Sequence, residues 1–348
     1  MPLSLVVHYG DHPGTTGSHL AGAAEELGIG VGHPLPPRRH FDCAVLGPRD
    51  ALVWVESGML SYPLGTERSE TPTAGYVIDV HLHAAQSRAV ASLFDLVLVA
   101  QRDYLPALAE VHPNVHWLPL AAPRAFLDLP RRAVFPVSFV GNVVPGTLRE
   151  RALRAINAAV PMNDWRRSHS IDELGATYAS SRLVINPPAH GDVNMRFFEA
   201  LACGALVVTP PLANGLCMLA REGEDYYTVD LEDESFVASV LDLLATADFE
   251  VRGEAARALV RDRHTYHRRV SEIASLLATA GPVAPVRAMS SKDRGALLLD
   301  LATYAADPSL ARQAARLGAL TPVGAHARVA SRAAARWVRT NAFAGAGR

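Results

Sequence analysis

Cysteine is scarce in this sequence, and neither sign of charge is in excess. Three cysteines, Cys43, Cys203 and Cys217, cannot build a disulfide framework, and no pair has zinc-ribbon spacing. They read as free thiols packed as small hydrophobes in a reducing compartment. Lys+Arg 33 against Asp+Glu 35 gives a formal net charge of −2, which argues against a general nucleic-acid binder. No uncharged apolar run reaches about 18 residues, so no transmembrane helix is expected. The opening MPLSLVVHYG has no basic stretch leading into a long apolar run, so no secretory signal is expected and the location implied is cytoplasmic. What is present is a chain of 348 residues, 49 % apolar and 20 % charged. That length suits about two domains at roughly 150 residues each, with ample core for both.

Short β-branched apolar runs alternate with longer helical stretches. Strands are predicted at 3–9, 43–46, 51–56, 76–80, 95–100 and 115–118. A glycine-rich turn at 10–17 separates the first strand from a helix at 18–27, and further helices are predicted at 84–93 and 103–111. Near-continuous apolar strands are the mark of a parallel sheet covered on both faces, and the alternation argues for doubly wound α/β domains. Prolines at 119, 123, 130 and 136 interrupt the rhythm and read as a linker. Beyond them, strands are predicted at 137–140, 183–186, 205–209 and 227–229, with helices near 147–158, 171–180, 195–203, 234–245 and 250–277. The domain limits expected are 1–130, 131–281 and a helical tail at 282–348. Ligands of open α/β sheets bind beyond the carboxyl ends of the strands, so the cleft between the two domains is the default site.

The stretch LVINPPAHGDVNMRFFEALACGALVVTP, Leu183–Pro210, carries the most information. It reads as strand, polar loop, helix, glycine stop and strand. Asn194 suits an N-cap and Gly204 a helix stop. The helix is apolar almost all round, yet it holds Arg196 and Glu199. A buried charge without a partner costs several kcal/mol. Either the two pair with each other at i,i+3 spacing, or both face a cleft. In the second case Arg196 would meet phosphate oxygens beside a helix N-terminus, and Glu199 would accept hydrogen bonds from sugar hydroxyls.

The arrangement N-x-R-x-FEALACG-A-x-VVT resembles the nucleotide-sugar-binding segment of group 1 glycosyltransferases, in particular the branch similar to the CgeB-like spore-maturation proteins. SFVGN at Ser138–Asn142, TYASSRLVINPP at Thr177–Pro188, RHTYHRR at Arg263–Arg269, DLVLVAQRDYLPAL at Asp95–Leu108 and VHWLPLA at Val115–Ala121 are similar to the same family. The resemblance implies a GT-B fold: two Rossmann-like domains with the donor in the second and the acceptor in the first. It implies that Glu199 holds the donor ribose, that Asn194, Met195 and Arg196 lie near the diphosphate, and that Gly141 and Asn142 form the glycine turn of the donor domain. Arg149 or Arg151 would add positive charge at the leaving diphosphate. His264 and Tyr266 match a signature read here as structural. Many retaining relatives carry a second glutamate eight positions before the ribose-binding one; this chain has Gly191 there, with Asp192 beside it, which leaves retention or inversion open.

The implied reaction moves a sugar from a nucleotide sugar, UDP- or GDP-linked among the candidates, to an acceptor hydroxyl, with no cofactor. Arginines and helix-end amides can stabilise the departing diphosphate, and no Asp-x-Asp motif is placed to hold a metal, so a metal-independent reaction is expected. A general base, where one is needed, would come from the first domain: His12 in the glycine-rich loop, or Asp79, His81 and His83, which would share one face of an extended segment. A nucleotide-sugar epimerase on the same scaffold and a non-catalytic sugar-nucleotide binder are the alternatives. The residues from Pro282 onward hold ten Arg or Lys and three Asp, a local net of +7. Arg328, Arg332, Arg336 and Arg339 recur at helical spacing there. They read as a solvated face, a helix packed back on the domains, or a peripheral membrane contact. No nucleic-acid partner is expected, and the sequence fixes no oligomeric state.

Overall fold

The computed structural model describes residues 3–318, 324–325 and 327–332. The chain opens with β1 (Ser4–Gly10), α1 (Thr16–Glu26), β2 (Gly30–Leu35), β3 (Phe41–Asp42), β4 (Asp50–Val55), β5 (Pro63–Leu64) and β6 (Thr73–Val77). It continues with α2 (Ala84–Ala91), β7 (Leu96–Val99), α3 (Leu105–Ala109) and β8 (Val115–Trp117). Six of these strands form one parallel sheet in the order β2-β1-β4-β6-β7-β8, and β3 pairs with β5 at its side. The order reverses beside β1, where the chain goes first to β2 on one flank and later to β4 on the other. That reversal opens a crevice at the carboxyl ends of β1 and β4.

The second domain runs β9 (Phe135–Ser138), α4 (Leu148–Ala159), α5 (Ile171–Ala179), β10 (Ser181–Ile185), α6 (Met195–Ala202) and β11 (Leu206–Thr209). It ends with α7 (Leu216–Leu219), β12 (Tyr226–Thr228), α8 (Phe236–Thr246), α9 (Phe249–Arg263) and α10 (Tyr266–Thr279). Its sheet is parallel, in the order β12-β11-β10-β9. Strand periodicity of two sorts the side chains. Leu183, Ile185, Leu206 and Val208 join the core with α4 and α8, while Val184 and Val207 join the core with α6 and α9. The latter core also takes Leu5, Val7, Val53 and Val55 of the first sheet, so one apolar body runs through both domains.

The last helices are α11 (Ser291–Ala305) and α12 (Pro308–Arg316). Leu299, Ala302, Leu310 and Ala311 bury against Leu52, Trp54 and Phe94 on the outer face of the first sheet. α11 and α12 therefore cover the first domain. Residues 327–332 are helical as well, and Arg328 pairs with Asp300 on α11 at 3.0 Å. Arg336 and Arg339 lie outside the described residues.

Several local expectations change. Residues 43–45 form a 3₁₀ turn rather than a strand, because the Asp42 carboxylate accepts from the Ala44 amide and caps the turn. β2 and α7 are additional elements. The single helix predicted at 250–277 is two: Thr265 caps α10 by accepting from the Arg268 amide, while the backbone at 264–266 bonds to Ala122. Residues 79–83 turn back on themselves instead of extending, with the Leu82 and His83 amides both donating to the Asp79 carbonyl.

Candidate active site

The glycine turn after β9 builds one wall of the site. A Cβ on Gly141 would overlap Nη2 of Arg196, so only glycine lets the guanidinium lie against the backbone there. Arg196 donates from Nε to the Val140 carbonyl at 2.8 Å and from Nη1 to Asn186 Oδ1 at 2.9 Å. Its guanidinium stands 4.6 Å from the centre of the Phe139 ring. Arg149 approaches the same ring and donates to the carbonyls of Pro187 and Asn142. Burial lowers the Arg149 pKa, and the like charge of Arg196 adds to the effect. Two cations thus share one aromatic surface. Arg151 lies on the exposed side of α4, bonded to the Gly146 carbonyl.

α6 forms the floor. Asn194 holds the N-cap position, but its side chain makes no capping bond, and Oδ1 is buried without a hydrogen-bond partner. The Met195 sulfur accepts from the Thr16 hydroxyl across the cleft at 3.3 Å. Phe197, Phe198, Ala200, Leu201 and Ala202 are fully buried, and Glu199 is 4 % exposed. No ion pair joins Glu199 to Arg196 among the described residues, whose guanidinium is engaged elsewhere. Burial pushes the Glu199 carboxyl up to about 7, offset in part by the Arg196 charge.

Gly141, Asn142, Asn194, Met195, Arg196 and Glu199 line a cavity of about 990 Å³ in the second domain, which Gly14 of the first domain borders. Trp165, Arg166, Arg167, Ser168 and His169 line it as well. The latter group escaped the sequence reading; its cue is WRRSHS, an aromatic and two arginines in a polar loop after a helix. Arg166 stacks on Trp165 at 4.2 Å. Arginines, helix-end amides and a glycine turn make this cavity suited to an anion, and the Glu199 carboxyl suits hydroxyl donors.

The first domain contributes a separate cluster at the carboxyl ends of β4 and β6. Glu56, absent from the sequence candidates, accepts from the Ile78 and Asp79 amides at 2.9 and 3.0 Å. Its cue was a carboxylate directly after a buried strand. Burial pushes Glu56 up to about 8, with the Asp79 charge adding to it. Asp79 is also raised, mainly by burial. His81 lies across the cleft from His190 and Asp192, and His83 bonds through Nδ1 to the Tyr304 hydroxyl of α11 at 2.5 Å. His12 is exposed on the glycine-rich loop.

Pins across the cleft hold the halves together. Gln101 bonds both backbone groups of Val193, and Asp103 and Asn214 exchange two bonds. Gly14 packs against Ile171 so closely that a Cβ would overlap it. His264 Nε2 donates to the Leu219 carbonyl and Nδ1 accepts from Arg269, and Tyr266 donates to Thr16.

Residues 126–275 match a family model described as glycosyl transferase-like. That segment holds the glycine turn, α6 and the loop of Trp165. No curated protein matches the chain in sequence. Among solved structures, a glycosyltransferase from Rickettsia africae is 9 % identical with a TM-score of 0.52, covering 80 % of this chain and 100 % of that one. HepE of Anabaena, solved with UDP and glucose, is 11 % identical with a TM-score of 0.55, again covering 80 % and 100 %. These likenesses establish the fold. The architecture is GT-B, two parallel-sheet domains with a helical C-terminus.

Proposed function

We propose that the protein is a glycosyltransferase that moves a sugar from a nucleotide-sugar donor to an acceptor hydroxyl. One observation carries this reading: the Glu199 carboxyl, sunk in an otherwise apolar helix, lines the second-domain cavity that Gly14 borders instead of pairing with Arg196. A ribose diol supplies the donors that carboxylate lacks, and Gly141, Asn142, Asn194 and Met195 line the diphosphate end beside Arg196. Arg149 adds positive charge behind the glycine turn, whereas the exposed position of Arg151 gives it no part. The departing diphosphate is stabilised by these cations and by the amides of α6, without a metal ion or cofactor in the scheme. The glycosyl transferase-like segment and the UDP and glucose held by HepE support a UDP-sugar as the first donor to test. The FEALACG run favours the CgeB-like branch of the family. Asp79 and His81 are the acid–base candidates of the acceptor side; the exposed His12 is the weaker one.

A thermal-shift screen of UDP-, GDP-, dTDP- and ADP-sugars identifies the donor. Glu199→Ala should weaken binding of the matching nucleotide by more than about 1 kcal/mol, the cost of losing hydrogen bonds to a charged group. Unchanged calorimetric affinity would sink the assignment. Incubation with donor alone, followed by analysis of the sugar, separates an epimerase from a transferase.

A further inference from the structure

The first domain holds a second cavity, separate from the donor cavity and from the cluster around Glu56. It lies between the turn at 65–68 and the pair α11 and α12, and its volume is about 260 Å³. Arg287 fixes its walls. That guanidinium donates to both oxygens of the buried Asp95 carboxylate at 3.0 Å, and to the carbonyls of Glu67 and Ser69. Asp95 precedes β7 and also accepts from the Thr73 amide at the start of β6. The cavity is thus tied to the amino ends of these strands, whereas the cleft opens at their carboxyl ends.

Its lining is apolar on one side and cationic on the other. Leu93 and Val286 are each 3 % exposed, and Leu64, Leu297, Leu298 and Leu317 are half-buried around them. Three arginines, Arg68, Arg294 and Arg316, line it against one carboxylate, Glu67, which stands 3.9 Å from Arg68. Arg294 donates to the Met289 carbonyl and the Ser291 hydroxyl, and among the described residues neither it nor Arg316 pairs with a carboxylate. The sequence after Gly318 brings no such partner, since it holds five arginines and neither Asp nor Glu. A hydrocarbon chain would take the leucines out of water, and an anion at its end would meet guanidiniums whose charge is otherwise uncompensated. The volume falls just below the usual span of small-molecule pockets, about 300–1,000 Å³, which suits one chain better than the paired chains of a bilayer lipid.

We infer that this cavity is a binding site for a single-chain amphiphile with an anionic head, of the fatty-acid class. The head pairs with Arg294, Arg316 and Arg68, and the chain lies along Leu297, Leu298 and Leu64. The site is independent of the sugar-transfer reading.

Calorimetry on the full chain tests this with dodecanoate below its micelle concentration. Dodecyl phosphate serves as a second anionic head, dodecyltrimethylammonium as the cationic counterpart and inorganic phosphate as a head without a chain. The expected result is one dodecanoate per chain with a micromolar Kd, similar binding of dodecyl phosphate, and no measurable binding of the other two. Arg316→Glu and Arg68→Glu should each weaken dodecanoate binding at least about tenfold, the cost of losing a charged hydrogen-bond partner. Both side chains are exposed, so their reversal leaves the fold intact. Arg312→Glu, on the same helix but outside the lining, should change the affinity less than twofold. Non-saturating uptake, equal binding of the cationic amphiphile, or equal losses in all three variants overturns the proposal. Flotation with phosphatidylglycerol vesicles, in a protein that takes up no dodecanoate, also overturns it and assigns the arginines to a bilayer surface.

Discussion

Glu199 sits where its protonation and its function are coupled. Burial raises the carboxyl to about 7, so near neutral pH the empty cavity holds a mixture of charged and neutral forms. Hydroxyl donors bind the charged form better, and a bound nucleotide therefore lowers the pKa and expels protons. Affinity for UDP should rise from pH 6 to pH 8. Calorimetry at pH 6.5 in two buffers of different ionisation heat should record net proton release, which fades by pH 8 and disappears in Glu199→Gln. Equal heats in both buffers would contradict the coupling. This residue was legible in the sequence because a charge in an all-apolar helix demands an explanation. Arg196 was legible as a charge but not in its contacts: the Val140 carbonyl and Asn186 lie 56 and 10 residues away along the chain. Glu56 and Trp165 carry only weak local cues, a carboxylate after a buried strand and an aromatic beside two arginines; they matter once folding brings the turn after β6 to Glu56 and the loop before α5 to the cavity.

α6 keeps its place through the elements behind it. α9 crosses the turn at Gly204, and a Cβ on Gly253 would stand 2.6 Å from the Gly204 carbonyl oxygen and 2.5 Å from Nη1 of Arg131. The arginine can swing aside, but the backbone oxygen cannot without moving the end of α6. Gly253→Ala should therefore cost about 1–3 kcal/mol, the usual penalty of overpacking, despite alanine's better helix propensity. Urea titration measures it, and a stabilised variant would show that α9 has room. Elements with strong periodicity, such as α4, α6 and β7, were readable from the chain. β2 was not: GVGHPL has no apolar alternation, and it becomes a strand by pairing with β1 at the sheet edge. The break between α9 and α10 was likewise hidden, because the pattern of apolar residues continues across it while Thr265 and the partner backbone at Ala122 end the first helix.

The two domains share one apolar core, and α10 packs from the second domain onto α1 of the first. Unfolding should then be a single cooperative event, and its pH dependence should sum over both domains. Burial holds His8, His19 and His264 down at about 4 from 6.5. Below 6.5 the unfolded chain takes protons that these folded imidazoles refuse, so stability falls as pH drops from 6.5 toward 4. Glu199 at about 7 and Glu56 at about 8 work oppositely, since their ordinary value is 4.5. The folded carboxyls keep protons that the unfolded chain has released, so stability falls as pH rises from 4.5 to 7 for the first and to 8 for the second. Between 4.5 and 6.5 these histidines, joined by His40 and His112, outnumber the two glutamates, joined by Asp79, and stability still climbs with pH. Above 6.5 only the carboxyls titrate, and it declines. The maximum should lie close to pH 6.5. Scanning calorimetry from pH 4 to 9 should show Tm peaking there, and Glu56→Gln should flatten the alkaline side up to pH 8. A Tm that keeps rising to pH 8 would mean that the two carboxyls are hydrated in solution and the cleft is open.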